Sequence, residues 1–318
     1  MNRRQLLLLA FASVAAAHPA RAADWPERPV TLVNPFAAGG GVDVLLRGIA
    51  KVLSDKFGQS FIVENRTGAG GTVASLSVAK AAPDGYTLLM TAVGPAVLNQ
   101  LLFKSVPYDT DRDFTPVIML GEIPQLIVSN PQLGFKTLGD LVDYGRKNPG
   151  KLSIGHSGAG TMGNLTGAVF LARTGIQGTL IGYRGVTLLV TDILGGQIQA
   201  GAPAYFPGLQ NVTMLAVASA QRVPFLPNVP TARESGVDLI ASTWIAMVAP
   251  AKTPQNVVSK LNLAINAYMA TREGQQLFEK VGLSPLGGTP DYLAEVIKRD
   301  RVTWGLVIEK ENIKLDPN

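Results

Sequence analysis

Residues 30–58 read VTLVNPFAAGGGVDVLLRGIAKVLSDKFG, and their pattern decides the fold. Val30 to Val33 is a short apolar and β-branched run, as a buried strand requires. Asn34-Pro35 stops it, and Ala37 to Gly41 forms a loop almost free of side chains. From Val42 the period changes. Leu45, Leu46, Ile49, Val52, Leu53 and Phe57 then share one helical face, and Gly58 stands where the helix should end. Strand, glycine-rich turn and helix in this order open a parallel α/β unit.

The turn carries a chemistry of its own. The first N–H groups of a helix have no partner inside it, and the macrodipole leaves partial positive charge there. Glycines let an anion approach that backbone without steric cost. Gly39 and Gly40, with Ala37 beside them, are therefore candidate anion-binding positions. Asp43 complicates the picture, because a carboxylate in the first helical turn repels a bound anion unless it points away. It could instead accept hydrogen bonds from a ligand amine or hydroxyl, or from the loop N–H groups. The order of glycines fits neither the dinucleotide nor the P-loop pattern, so a turn shaped only for close packing is the competing reading.

The device recurs. Phe61 to Glu64 reads as a second strand, Asn65 to Gly71 as a second glycine-rich turn, and Thr72 to Ala82 as a helix. Tyr86 to Thr91 follows as a third strand, trailed by Gly94 and Pro95. A β-α-β-α-β order implies parallel strands whose turns face one crevice. Phe114 to Leu120 is a further strand, and Gln125 to Val128 begins a second region. There Leu138 to Lys147 reads as a helix, Leu152 to Gly155 as a strand and Met162 to Arg173 as a helix. The turn between the last two holds His156, Ser157, Ala159, Gly160 and Thr161, with Asn164 one turn into the helix. Ser157 and Thr161 offer hydroxyl donors to a ligand, or serve as ordinary N-caps. His156 is read as a structural or rim residue, since no nucleophile or acid is tied to it by spacing. Val186 to Leu194 reads as a helix, Gln197 to Tyr205 as a strand running into a loop, and Thr213 to Ala218 as a strand. Thr243 to Val248 is a strand returning to the first region, and helices are expected at 254–269, 274–281 and 290–308.

Composition bounds the function. Arg3-Arg4, the apolar run Leu6 to Ala17 and Ala20-Arg21-Ala22-Ala23 form a secretory signal over residues 1–23, which implies export to the periplasm. Without its three arginines the chain keeps 25 basic against 23 acidic residues, so the net charge falls from +5 to +2. No basic block points to nucleic acid. The chain has 0 cysteines, so disulfides and thiol chemistry are excluded, and His156 is the only histidine outside the signal. No catalytic residue, metal ligand or cofactor is assigned.

These residues together match a family. The chain resembles the Bug-type solute receptors of tripartite tricarboxylate transporters. The shared pieces are WPERPV at 25–30, VNPFAAGGGVD at 33–43, VENRTGAGG at 63–71 and APDGYTLL at 82–89. Others are Tyr108-Asp109, DFTPV at 113–117, NPGKL at 148–152, LPNVPT at 226–231, Trp244, APAKTP at 249–254 and Trp304. They run in order over nearly the whole mature chain. The resemblance implies a two-lobe Venus-flytrap architecture, each lobe a mostly parallel sheet flanked by helices. Lobe one is expected over 24–123 and 243–318, and lobe two over 124–242. It further implies a ligand carboxylate held by backbone groups between Pro35 to Asp43 and Ser157 to Thr161. Phe36 would pack against the ligand, with Thr91 and Gly94 lining the strand end.

Two departures narrow the ligand. Asn164 stands where the family commonly has histidine, and the run Gln197 to Tyr205 lacks the acid the family often places near its pocket. A pocket without that acid suits a carboxylate without an amine, aromatic or aliphatic, with Tyr205 or Phe206 as wall. The expected protein is a monomeric receptor that delivers a small carboxylate to membrane transporter subunits. A ligand-sensing receptor for a membrane sensor kinase, and an exported hydrolase, are the alternatives.

Overall fold

The computed structural model describes residues 25–313, so the export signal read from the sequence lies outside the described residues. The opening segment folds as its periodicity requires. Strand β1 (Val30–Asn34) passes through the glycine turn into helix α1 (Gly41–Phe57), which buries Leu45, Leu46, Ile49 and Leu53. Each such side chain contributes about 1.5–3 kcal/mol by leaving water. Strand β2 (Phe61–Asn65), helix α2 (Thr72–Ala79) and strand β3 (Thr87–Ala92) complete the unit. Both β2 and β3 pair with β1 in parallel. Helix α2 stops three residues before the expected Ala82, ahead of Pro83.

Strand β4 (Phe114–Pro124) is 11 residues long and continues past the expected end at Leu120. Its partner explains the extra length. β10 (Ser242–Pro250) runs antiparallel along it from Ser242 opposite Pro124 to Pro250 opposite Phe114. Gly121 looks like a strand terminator in sequence, yet here it permits close approach. A Cβ on it would fall 2.2 Å from the Ser284 carbonyl oxygen of the short edge strand β11 (Ser284–Pro285). The first sheet thus has the order β11-β4-β10-β3-β1-β2.

The second sheet has five strands in the order β7-β6-β8-β5-β9. These are β5 (Leu126–Ser129), β6 (Leu152–His156), β7 (Gly178–Gly182), β8 (Ala200–Gly201) and β9 (Thr213–Val217). Helices α3 (Leu138–Lys147), α4 (Met162–Thr174) and α5 (Val186–Leu194) connect them. The strand expected over Gln197 to Tyr205 shrinks to β8, and Pro203, which has no N–H, follows shortly after it.

The two-sheet α/β architecture is the expected one, but the description of each sheet as mostly parallel needs correction. Parallel pairing is confined to β1 with β2 and β3, and to β6 with β7 and β8. The strands at and next to the crossings, β4, β10, β5 and β9, pair antiparallel. A chain that leaves one sheet through β4 and returns beside it through β10 can only pair head to tail there.

Helices α6 (Gln255–Met269), α7 (Arg272–Lys280) and α8 (Pro290–Lys310) close the first lobe. Leu293, Val296 and Ile297 of α8 join a buried cluster that also holds Val33 and Leu89 of the first sheet and Ile154 and Phe170 of the second lobe. Past the end of α8, Glu311 accepts a hydrogen bond from Arg173 Nε of α4 at 3.0 Å. On α6, buried Asn262 donates through Nδ2 to the carbonyls of Val117 and Gly288, each at 2.8 Å.

Removing that amide leaves the buried Val117 carbonyl short of a partner, while the exposed Gly288 carbonyl keeps Asn266 Nδ2 at 3.0 Å. Asn262→Ala should cost about 2 kcal/mol of stability. Urea unfolding followed by circular dichroism should show a lower midpoint with an unchanged slope.

Candidate functional site

The first turn is built on two asparagines. Asn34 and Asn65 end neighbouring strands and stand opposite each other in the parallel register. Asn34 Oδ1 accepts from the Phe36 amide at 3.3 Å, and Asn65 Nδ2 donates to the Phe36 carbonyl at 3.0 Å. Phe36 is thereby fixed at the mouth of the turn, half-buried against the first core. Ala37 and Gly39 are exposed, and Gly40 is the N-cap of α1 with no side-chain cap.

Asp43 is buried beneath the turn. Its Oδ2 accepts from the Gly39 amide at 3.0 Å and from Arg47 Nε at 2.9 Å. Its Oδ1 accepts from Arg47 at 3.2 Å and from Asn65 Nδ2 at 2.8 Å. Burial works to raise its pKa, but Arg47, the Gly39 amide and Asn65 outweigh it and hold the carboxyl below its ordinary 3.8. Of the roles open to Asp43, the structure fills the internal one, with the loop N–H and the neighbouring side chains as partners.

The second turn follows β6. Thr161 caps α4, its Oγ1 accepting from the Asn164 amide at 3.3 Å and donating to the Gly158 carbonyl at 2.7 Å. The Asn164 side chain folds back over the turn. Its Oδ1 accepts from the Gly160 amide at 3.2 Å, and its Nδ2 lies 3.2 Å from His156 Nε2. His156 and Asn164 are both buried. Ser157 and Ala159 are half-buried on the turn.

The turns meet across the lobes. A Cβ on Gly94 would fall 2.9 Å from the Gly160 carbonyl oxygen, and one on Gly70 would fall 2.5 Å from that of Ala159. Gly71 packs on Pro35 and Pro95, which ties the first turn to this seam. Asn99, fully buried, donates to the Gly70 carbonyl at 3.1 Å and to Thr72 Oγ1 at 3.2 Å while facing Gly160. Thr91 is buried in β3 opposite Ala246 of β10. Tyr205 packs at a tilt on Phe225 with ring centroids 4.8 Å apart, and a Cβ on Gly282 would fall 2.2 Å from Tyr205 Cδ1. Gly282 follows Val281, whose carbonyl faces Gly41 at the start of α1. Tyr205 therefore reaches from the second lobe to the edge of the first turn.

Sequence reasoning placed the two turns but missed Asn34, Asn65, Asn99, Gly70 and Gly282. The two asparagines at strand ends were visible as a signal, since both precede the glycine-rich turns. Gly70 and Gly282 matter through contacts made far along the chain. Among the described residues, no three His, Cys, Asp or Glu side chains converge as a metal site requires.

Gly94→Ala tests the seam. Its methyl group would press on the Gly160 carbonyl, a strain of about 1–3 kcal/mol borne where the two turns meet. Small-angle scattering should report a larger radius of gyration than in the unsubstituted protein. Asp43→Ala tests the first turn, because it removes the acceptor of the Gly39 amide and of buried Asn34 Nδ2, 3.4 Å away, and should cost about 2 kcal/mol. The pH dependence has a definite sign. A carboxyl held below its ordinary value adds stability that is complete above that value and is lost as pH falls through the lower folded one. Acid unfolding of Asp43→Asn should therefore show a shallower loss below pH ~4 than the unsubstituted protein.

Residues 45–313 match the family described as "Tripartite tricarboxylate transporter family receptor", TctC. Protein BugT of Bordetella pertussis is 34% identical over 99% of this chain and 100% of its own. A solved structure titled "R. palustris Rpa4515 with adipate" superposes with a TM-score of 0.88 at 33% identity, covering 92% of this chain and 99% of the other. A second, MatC from Rhodopseudomonas palustris with bound malate, gives a TM-score of 0.84 at 30% identity over 89% and 100%. The match runs from within α1 to just past α8, and the two-sheet fold is kept throughout. On that breadth the chain belongs to the TctC family of tripartite tricarboxylate transporter receptors.

Proposed function

We propose that this protein is a periplasmic receptor that captures a small carboxylate between its lobes and delivers it to the membrane subunits of a tripartite transporter. The observation that carries the reading is the start of α1. Gly40 supplies no side-chain cap, so no side chain there competes with a ligand for the first N–H groups of the helix. Asp43, the one acid nearby in sequence, has its oxygens engaged by Arg47, Asn65 and Gly39. Uncapped N–H groups and the helix dipole then favour an anion. The adipate and malate named for two related structures are carboxylates without an amine, in keeping with the absence of an acid between Gln197 and Tyr205.

In this reading the lobes comprise 24–123 with 243–318, and 124–242. They rotate about the two places where the chain crosses, Pro124-Gln125 and Ala241-Ser242. A ligand bridging Pro35 to Asp43 and Ser157 to Thr161 stabilises the closed population. Phe36, Thr91, Gly94 and Tyr205 wall the cleft. The protein binds and releases without chemistry, and acts as a monomer.

A thermal-shift screen of refolded, ligand-stripped protein against mono-, di- and tricarboxylates tests this. At a hundredfold excess over Kd a true ligand adds about 2.7 kcal/mol, seen as a clear rise in Tm. No rise with any carboxylate would overturn the reading. Gly40→Val locates the anchor. Gly40 has φ −73° and ψ 165°, and its Cβ would meet only the Ala37 carbonyl oxygen at 3.5 Å, so the fold should keep its stability within about 0.5 kcal/mol. Carboxylate binding should disappear. Near-normal affinity in this variant would remove the first turn from the site.

A further inference from the structure

We infer that His156 is a positioning residue, which acts through Asn164 to hold the Gly160 amide and the turn 158–161 in the shape that faces the cleft. The inference about the turn stands on geometry alone; its effect on ligand rests on the receptor reading.

A backbone N–H can only donate, and that of Gly160 lies 3.2 Å from Asn164 Oδ1. The Asn164 amide is thereby oriented, and its Nδ2 is the atom 3.2 Å from His156 Nε2. Nδ2 also only donates, so Nε2 is the bare nitrogen of the ring. The ring proton then sits on Nδ1, where it is donated to the Gly158 carbonyl at 3.0 Å. The Gly158 N–H lies 3.2 Å from the same Nδ1, but a nitrogen that carries a proton cannot accept it. Thr161 Oγ1 donates to the same Gly158 carbonyl. One relay thus grips the turn at both Gly158 and Gly160.

The relay operates with a neutral ring only. A second proton would sit on Nε2 and confront Asn164 Nδ2, donor against donor. Turning the amide over relieves that contact and sets Nδ2 against the Gly160 N–H. Either way the Gly160 bond is lost.

The surroundings supply no carboxylate to favour the charged ring. Across the strand pair His156 faces Gly182, and the Tyr183 amide donates to its carbonyl at 2.9 Å. Tyr183 is itself neutral, its pKa pushed up to about 12, and donates to Asp192 of α5. Arg184 follows on the β7 side, α4 carries no charge before Arg173 at its far end, and β8 carries none. Burial lowers the His156 pKa below 6.5, with the Gly158 carbonyl acting in the other direction. The turn is therefore ordered above the ordinary histidine value and loosens as pH falls through the lower folded one.

Nuclear magnetic resonance on protein carrying ¹⁵N-labelled histidine and glycine tests this without ligand. The expected result is a neutral His156 with its proton on Nδ1, and a Gly160 amide that shifts and loses exchange protection along the His156 titration curve. In Asn164→Ala the ring should still titrate while Gly160 no longer follows. Adipate is the binding probe. Its affinity should fall about three- to tenfold from above to below the His156 midpoint found in that titration, relative to His156→Gln, a ratio in which the titration of adipate itself divides out. A proton on Nε2, a Gly160 amide blind to His156, or a flat affinity ratio for adipate that does bind would overturn the proposal. If Gly160 follows His156 but adipate binds at no pH, the relay stands and adipate as ligand falls.

Discussion

A helix start that must receive an anion cannot leave a free carboxylate beside it. Asp43 sits one turn into α1 and is almost fully buried, so its charge has to be met from within. Arg47 meets it one turn further on, and since that arginine is largely exposed, solvent screens the pair. What holds Asp43 is the sum of Arg47, Asn65 and the Gly39 amide. The same bonds shape the glycine turn, so one acid both neutralises itself and draws the loop into place. Without that arrangement the dipole of α1 would be spent on its own side chain.

The two turns divide the work unequally. α1 begins with an uncapped glycine, whereas α4 begins with Thr161 as cap and Asn164 folded over the turn. The first helix start therefore leaves its N–H groups open to an anion, and the second turn is the more tightly bonded. Their meeting is governed by backbone clearance. Gly94 and Gly70 leave room for two carbonyl oxygens of the opposite turn, and Tyr205 lies on Gly282 in the same way. The fit between the turns depends on the absence of side chains at least as much as on their presence, and a fit built on backbone atoms tolerates little added volume.

Much of this was readable from the residues. Local signals with a fixed period located α1, α3, α5 and strands β1, β2, β3 and β6, because hydrophobic spacing and caps are properties of neighbouring residues. Both small-residue turns were legible for the same reason. What escaped were features set by distant partners. β4 outruns its apolar pattern because β10, more than a hundred residues later, supplies its hydrogen bonds. Gly121, just past the expected end of that strand, serves as clearance for β11. The mixed character of the sheets follows from where the chain crosses, which no local period encodes. Asp43 and His156 were recognised as residues to explain, but their partners could only be named once Asn65 and Asn164 were seen beside them.

The position of β10 bears on how the molecule is assembled. In the first sheet it lies between β4 and β3, so residues near the end of the chain fill the middle of a sheet begun near its start. Until they arrive, that sheet is two separate pieces with unpaired inner edges, β3 on one and β4 on the other. The second sheet draws its five strands from a continuous stretch, Leu126 to Val217, and needs no strand that comes later. Contacts of such long sequence separation are slow to form. The order of assembly that follows is a second lobe that matures early and a first lobe that waits for β10, with its exposed edges as the stretch most in need of a chaperone.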